Sequence, residues 1–179
     1  MNITAMYFSG TGTTKKVTAA IADELTEIKI FQGETAAGEN PSSIKAGIKP
    51  WQRAEDIDFT PPAARREIYR FTPDDLVVFG VPVIAGRVPN VLLKFLDTLQ
   101  GGGALAVPVV LYGNRNFDDA LIELRNILQD RGFYAIGAAA FIGEHSFSRI
   151  LAAGRPDSSD MELSRDFAQK LADKIRRLG

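Results

Sequence analysis

Short apolar segments alternate along most of the chain with stretches in which apolar residues recur every three or four positions. Continuous apolar segments rich in β-branched residues, such as residues 76–81, are typical of strands covered on both faces of a parallel sheet. The strands predicted from this pattern cover residues 3–8, 28–31, 76–81, 107–112 and 133–141.

Helical spacing marks most of the segments between these strands. After the first strand, Val17, Ile21 and Leu25 recur every four residues, which places them on one face of a helix. The other helices are predicted from Val91, Leu92, Phe95, Leu96 and Leu99, then from Leu121, Leu124, Ile127 and Leu128, and finally from Leu163, Phe167, Leu171, Ile175 and Leu178. We expect the last helix to begin near Asp160, with Ser158 or Ser159 as its cap.

Strands that alternate with helices predict an α/β fold, a three-layer α/β/α sandwich with a doubly wound parallel sheet of five strands. The length fits a single domain over residues 1–179. Residues 32–74 fit less well, because they contain five prolines and no long apolar period. We expect a variable insertion there around the second crossover, with a surface excursion at Trp51 and a short helix from Pro61 to about Arg70.

Composition excludes several classes of function. The chain has no Cys and one His, which rules out disulfides, iron–sulfur clusters, a Cys nucleophile and a multi-His metal centre. A net charge of −1 provides no basic field for nucleic acid or acidic lipid. The longest uncharged run, residues 98–114, is too short to span a membrane. We therefore expect a cytoplasmic protein with no metal, nucleic-acid or membrane partner.

Ligands of such sheets bind at the carboxyl ends of the strands, which selects the loops 9–14, 82–90, 113–118 and 142–158. The first of these loops leads into a helix, whose N-terminus presents unpaired N–H groups and attracts anions. Its glycines let the backbone curl around an oxyanion, and its hydroxyls can donate hydrogen bonds. The candidate anion ligands are Ser9, Gly10, Thr11, Gly12, Thr13 and Thr14.

The loop lacks the Lys of a Walker loop and the third Gly of a dinucleotide fingerprint. The remaining candidate ligand is a mononucleotide whose phosphate is held by hydroxyl and backbone amide groups. A well-capped helix with Lys15 and Lys16 exposed is the simpler alternative.

These motifs resemble those of the flavodoxins. Residues 9–14 are similar to the (S/T)-x-T-G-x-T phosphate loop of that family. Residues 80–89 look like the G-x-P-V-Y-x-G-R-x-P loop of a subgroup that often occurs fused to a ferredoxin module in anaerobic microbes. Residues 112–117 resemble the flavin-edge loop of that subgroup, and residues 143–146 and 153–157 resemble segments after its last strand. The matches extend from residue 3 to residue 178 and leave 32–74 largely unaligned.

The resemblance implies non-covalent binding of FMN, with the ribityl phosphate in loop 9–14. The isoalloxazine ring would be held by Pro82, Val83, Ile84, Ala85, Gly86 and Arg87, and by Tyr112, Gly113, Asn114, Arg115, Asn116 and Phe117. Ile84 stands where the subgroup usually has Tyr, so an aromatic stack is missing on that face. Because this chain is nearly neutral, we hypothesise that Arg87 or Arg115 stabilises negative charge near N1 of the reduced ring and raises its potential. The alternative is that both arginines point into solvent.

The resemblance further implies an electron carrier. Since the chain has no Cys for an iron–sulfur cluster, we expect a separate redox partner, either a ferredoxin or a reductase. An NAD(P)H-dependent FMN quinone reductase and a flavin-free binding or scaffold domain are the alternatives. His145 is the candidate catalytic residue, because imidazole changes charge near neutral pH and the last strand ends just before it. A structural or merely exposed His is its alternative.

Overall fold

A parallel sheet carries the functional loops at one edge. The computed structural model describes residues 1–28, 51–148 and 150–178. Within them the strands are β1 (Asn2–Tyr7), β2 (Gln52–Arg53), β3 (Ile57–Asp58), β4 (Asp75–Pro82), β5 (Leu105–Tyr112), β6 (Tyr134–Ala135) and β7 (Ala139–Ile142). The helices are α1 (Thr13–Glu27), α2 (Asn90–Leu96), α3 (Ala120–Asp130) and α4 (Ser158–Leu178).

All strand pairs run parallel, and the chain changes direction across the sheet beside β1. Strands β2 and β3 both pair with β1 on one side, and β4 pairs with β1 on the other. Strand β5 follows β4, and β6 and β7 both pair with β5. The switch in strand order therefore lies between β1 and its neighbours, where open α/β sheets bind ligands.

The predicted α/β sandwich is confirmed, but the predicted count of five strands is wrong. Seven strands are present in the described part of the chain, because each outer position of the sheet is shared by two short strands. Gly137 interrupts the predicted strand 133–141: a β-carbon there would lie 2.4 Å from Cδ2 of Leu171. Helix α4 therefore packs closely against the break between β6 and β7.

The region before β4 differs most from the prediction. The predicted strand 28–31 falls, from residue 29, outside the described residues. Strands β2 and β3 occupy the outer position beside β1, within the predicted surface excursion. The predicted helix from Pro61 to Arg70 is wrong, since only a 3₁₀ turn forms there, at Ala64–Arg66. Strands of two residues carry no measurable apolar period, so the sequence pattern could not reveal them.

Two apolar cores cover the two faces of the sheet. Helices α1 and α4 pack on one face, where Val17, Ile21 and Leu25 are buried as predicted. Helices α2 and α3 pack on the other face. The expectation that Leu163 faces inward is wrong, because its side chain is 59% exposed, and Val91 at the start of α2 is also exposed, at 64%. The side chain of Leu178 lies outside the described residues.

Helix α4 is capped by a residue that the sequence analysis passed over. It begins at Ser158, and Oδ1 of Asp157 accepts hydrogen bonds from the N–H groups of Ser159 and Asp160, at 3.0 and 3.1 Å. The predicted caps Ser158 and Ser159 lie inside the helix. A carboxylate at this position also complements the positive helix end.

Among the described residues, no helix combines the length and apolarity needed to cross a membrane.

Candidate functional site

The four loops selected from the sequence meet at one edge of the sheet, and glycines allow their close approach. A β-carbon at Gly86 would lie 2.4 Å from Oδ2 of Asp118. A β-carbon at Gly113 would lie 2.7 Å from Cδ2 of His145. Gly143 lies beside Thr13, with 3.4 Å between its hypothetical β-carbon and Oγ1. The loops after β1, β4, β5 and β7 therefore form one continuous surface.

The loop before α1 presents an open helix N-terminus. Gly12 is the N-cap, with a φ of 87°, and no side-chain cap bond forms there. The hydroxyl of Ser9 accepts the N–H of Lys15 at 3.0 Å. Side chains added at Gly10 or Gly12 would meet nothing within 4 Å. No hydrogen bond from the N–H of Thr13 reaches another described residue, so the loop suits an oxyanion.

The side chains of this loop divide into two groups. The hydroxyls of Thr11 and Thr13 lie 3.2 Å apart at the surface. Thr14 is buried, with Cγ2 directed at Gly80. Lys15 and Lys16 are both exposed, as the capped-helix alternative expects, and Nζ of Lys16 donates to the carbonyl of Pro156 at 2.8 Å. The surface hydroxyls are therefore the side chains available to a ligand.

Thr60 belongs to this loop in space, although the sequence analysis did not place it there. Its Oγ1 accepts the N–H of Ser9 at 2.8 Å, which leaves its own hydroxyl proton free for another acceptor. Arg65 supports the same segment, with Nη1 2.9 Å from the carbonyl oxygen of Phe59 and its guanidinium 5.6 Å from the ring centroid of Phe8. The position follows from the short strand β3, which the sequence pattern did not indicate.

A cavity of about 660 Å³ opens beside this loop, between the loops after β4, β5 and β7. Its volume falls within the range of small-molecule sites, which is about 300–1,000 Å³. Its walls combine apolar, aromatic and polar residues, namely Val83, Ile84, Ala85, Gly86, Tyr112, Gly113, Arg115, Asn116, Asp118, His145, Ser146 and Phe147.

A tight turn forms one wall of the cavity. Ala85 and Gly86 both have positive φ, at 52° and 74°. Ile84 and Arg87 exchange backbone hydrogen bonds of 3.1 Å on either side of them. Positive φ at both central residues is the requirement of a two-residue type I′ connection, so this turn needs glycine or a strained residue.

The two arginines proposed for the ring loops have different environments. Arg87 forms a bidentate pair with Glu123, with distances of 2.7 and 3.0 Å, and Glu123 also accepts the N–H of Val88 at 2.8 Å. The hydrogen bonds from Arg87 hold the pKa of the Glu123 carboxyl below its usual value. Arg115 lines the cavity, and no described residue forms an ion pair with it. Arg115, and not Arg87, is thus the arginine that belongs to the cavity wall.

Several candidate residues lie beside the cavity and not in its wall. Pro82 ends β4, and Asn114 adopts a positive φ of 56° on the exposed loop. Phe117 packs edge-on against Tyr112, with 5.5 Å between ring centroids, and so supports the wall from behind. The aromatic side chain missed by the sequence analysis is Phe147, which is 93% exposed and lines the cavity. An aromatic residue two positions after His145 was the available signal.

Solved structures share the fold of this chain at low sequence identity. A flavodoxin from the domain Archaea is 14% identical, with a TM-score of 0.60 over 98% of this chain and 99% of that one. Flavodoxin 1 from Bacillus cereus is 17% identical, with a TM-score of 0.59 over 97% and 98%. The apo form of an NADH:FMN oxidoreductase, EMOB, is 17% identical, with a TM-score of 0.61 over 96% and 88%. The chain has a flavodoxin-like fold.

Sequence comparison adds no closer relationship. No protein-family model matches the chain, and no curated protein is significantly similar to it. Across the described ranges, no group of His, Cys, Asp or Glu side chains is arranged to hold a metal ion.

Proposed function

We propose that the chain binds FMN non-covalently and serves as an electron-transfer flavoprotein. The observation that carries the proposal is the open N-terminus of α1, where the Thr13 N–H has no partner among the described residues, at the same sheet edge as the cavity of about 660 Å³. FMN has a dianionic phosphate at one end and a flat, amphipathic ring at the other. The phosphate matches the helix N-terminus in chemistry, and the ring matches the cavity.

The phosphate is assigned to loop 9–14, together with the hydroxyl of Thr60. Backbone N–H groups at a helix N-terminus bind phosphate without a cationic side chain. The surface hydroxyls of Thr11 and Thr13 add donors that rotate to suit the oxygens. The side chain of Thr14 is buried, so its backbone N–H is its means of contact.

The isoalloxazine ring is assigned to the cavity. Ile84, Tyr112 and Phe147 provide apolar and aromatic surface, as binding of a flat heterocycle requires. The turn at Ala85 and Gly86 places two backbone amides in the cavity wall, and Gly86 lets its peptide reorient at little steric cost. FMN, when bound, supplies the electron transfer, and the protein binds it, orients it and adjusts its potential.

A carrier is favoured over an enzyme by the end-to-end match to flavodoxins, which covers 97–99% of both chains. Such a carrier exchanges electrons with a partner, which for this chain would be a separate ferredoxin or reductase, because the chain has no Cys for an iron–sulfur cluster of its own. The likeness to an NADH:FMN oxidoreductase supports the second candidate, an NAD(P)H-dependent FMN quinone reductase. The third candidate function is that of a binding or scaffold domain without flavin.

Titration of the apoprotein with FMN tests the proposal. We expect saturable quenching of flavin fluorescence at one FMN per chain and weaker binding of riboflavin, which lacks the phosphate. The double substitution Thr11→Ala and Thr13→Ala should weaken FMN binding and leave riboflavin binding unchanged. Absence of FMN uptake would refute the proposal. Steady-state turnover of NAD(P)H with a quinone would favour the reductase, and no turnover would favour the carrier.

A further inference from the structure

The single histidine of the chain is built into the cavity wall. Its ring packs on Gly113, where a β-carbon would lie 2.7 Å from Cδ2 and 2.8 Å from Cα of His145. Its backbone N–H donates to the carbonyl of Leu151, and its carbonyl accepts the N–H of Ser148, both at 3.3 Å. The imidazole is therefore placed by the loops on both sides of it.

The hydrogen bond of this imidazole defines its protonation state. Nδ1 of His145 accepts the backbone N–H of Phe147 at 3.1 Å. A ring nitrogen that accepts a hydrogen bond carries no proton, so this contact requires the neutral imidazole with its proton on Nε2. Protonated imidazole donates from both nitrogens and cannot accept this bond. The contact therefore exists only while His145 is neutral.

The residue held by this bond is the exposed aromatic side chain of the cavity. Phe147 is 93% exposed, and its ring centroid lies 6.2 Å from that of His145. Burial does not fix such a side chain, so its position over the cavity depends on its backbone. Two hydrogen bonds orient that backbone: the turn bond from the N–H of Ser148 to the carbonyl of His145, and the bond from the N–H of Phe147 itself to the imidazole.

We propose that His145 is a positioning residue whose neutral imidazole holds Phe147 against the bound flavin ring and whose protonation releases it. The inference rests on the proposed function, since the flavin ring is what Phe147 would cover. FMN then binds more weakly in mild acid, because imidazole gains its charge between about pH 5 and 8.

Charged groups around the imidazole come from two loops. Arg115 and Asp118, in the loop after β5, line the same cavity, and their charges have opposite effects on protonation. Asp118 is engaged by the side-chain amide of Asn116 at 2.6 Å. In the loop of His145 itself, Oε1 of Glu144 accepts the N–H of Gly154 at 2.9 Å.

FMN affinity measured between pH 5.5 and 8 tests the proposal with four proteins: the wild type and the variants His145→Asn, His145→Ala and Phe147→Ala. The amide oxygen introduced by His145→Asn can take the place of Nδ1 as acceptor, but it does not titrate. We expect the ratio of the wild-type Kd to that of His145→Asn to rise about two- to tenfold toward acid, the effect of one hydrogen bond. The titration of the FMN phosphate cancels in this ratio.

His145→Ala should bind weakly at every pH, and Phe147→Ala should lose the excess pH dependence of the wild type. Parallel pH profiles for wild type and His145→Asn would overturn the proposal. Tighter wild-type binding in acid would also overturn it, because attraction between imidazolium and phosphate would then dominate.

A second measurement needs no flavin. In NMR spectra of the apoprotein, the amide proton of Phe147 should shift with the titration of the His145 ring and stay constant in His145→Asn. A pH-independent Phe147 amide in the wild type would refute the contact even if FMN binds. If the Phe147 amide shifts with pH but the protein does not bind FMN, the proposed function and the role of His145 at the flavin are both refuted. Only the hydrogen bond between His145 and Phe147 would then be supported.

Discussion

Substitution of Gly80 tests how closely α1 is packed on the sheet beneath the proposed phosphate loop. Gly80 is buried in β4, and a β-carbon there would lie 2.1 Å from Oγ1 of Thr18 and 2.9 Å from Cγ2 of Thr14. Alanine in an unobstructed strand stabilises by about 0.5–1 kcal/mol relative to glycine. Overpacking of a close-packed core costs about 1–3 kcal/mol. We therefore predict that Gly80→Ala lowers the free energy of unfolding, whereas the same substitution in an unobstructed strand would raise it.

Thr18→Ala should rescue this variant. Oγ1 of Thr18 is buried and has no hydrogen-bond partner within the described part of the chain. Its removal relieves a penalty of about 1–3 kcal/mol and forfeits about 0.8 kcal/mol for the lost methyl group. Thr18→Ala alone should thus be close to neutral or stabilising. In the double variant the closest contact is gone, and we expect a favourable coupling energy of about 1–2 kcal/mol between the two sites.

Urea unfolding, followed by circular dichroism, measures all four free energies of unfolding. Thr18→Val is the matched control, because it removes the hydroxyl but keeps a carbon atom in the obstructing position, and it should not rescue Gly80→Ala. Additive effects of Gly80→Ala and Thr18→Ala, or a stabilising effect of Gly80→Ala alone, would refute the packing argument. An altered slope against urea would indicate a change in the unfolded or native ensemble instead.

Three further predictions concern the site and its supports. Gly86→Ala places a methyl group 2.4 Å from Asp118 at a φ of 74°; we expect a loss of about 1–3 kcal/mol in urea unfolding and a higher Kd for FMN. Arg115→Ala should lower the midpoint potential of bound FMN in a redox titration, and an unchanged potential would contradict the arginine hypothesis. Hydrogen bonds from Arg155 hold the pKa of Asp160 below its usual value. Because this folded-state pKa is depressed, the stabilisation is complete above the usual carboxyl pKa of about 4 and is lost as the pH falls further. Urea unfolding between about pH 2 and 7, which spans that pKa, tests this. The free energy of unfolding should fall less toward acid in Asp160→Asn than in the wild type.

The long elements of the fold were predictable from the sequence, whereas the short ones were not. Strands β4 and β5 consist of eight residues each, and their continuous apolar runs predict burial on both faces. Strands β2 and β3 have two residues each and depend on pairing with β1. Such pairing is a tertiary interaction, which no local period records.

The site could be located from the sequence, but its side chains could not be assigned. Loop 9–14 and the turn at Ala85 and Gly86 were identified because glycine and hydroxyl residues have local conformational roles. Thr60 reaches Ser9 from 51 positions away, and Glu123 reaches Arg87 from 36 positions away. The first contact joins the segments after β1 and β3, and the second joins the loop after β4 to the first turn of α3, so only the fold brings these residues together.

These distant contacts change what the charge of the chain means for its chemistry. The sequence alone places two arginines in the ring loops, which suggests a doubly cationic site. Glu123 neutralises Arg87 with a bidentate pair, so the charges in the cavity wall are those of Arg115 and Asp118, with His145 adding a third on protonation. Coulomb interactions weaken with distance and with screening. The potential of a bound flavin would therefore respond to this small local set, and the net charge of −1 is a poor guide to it.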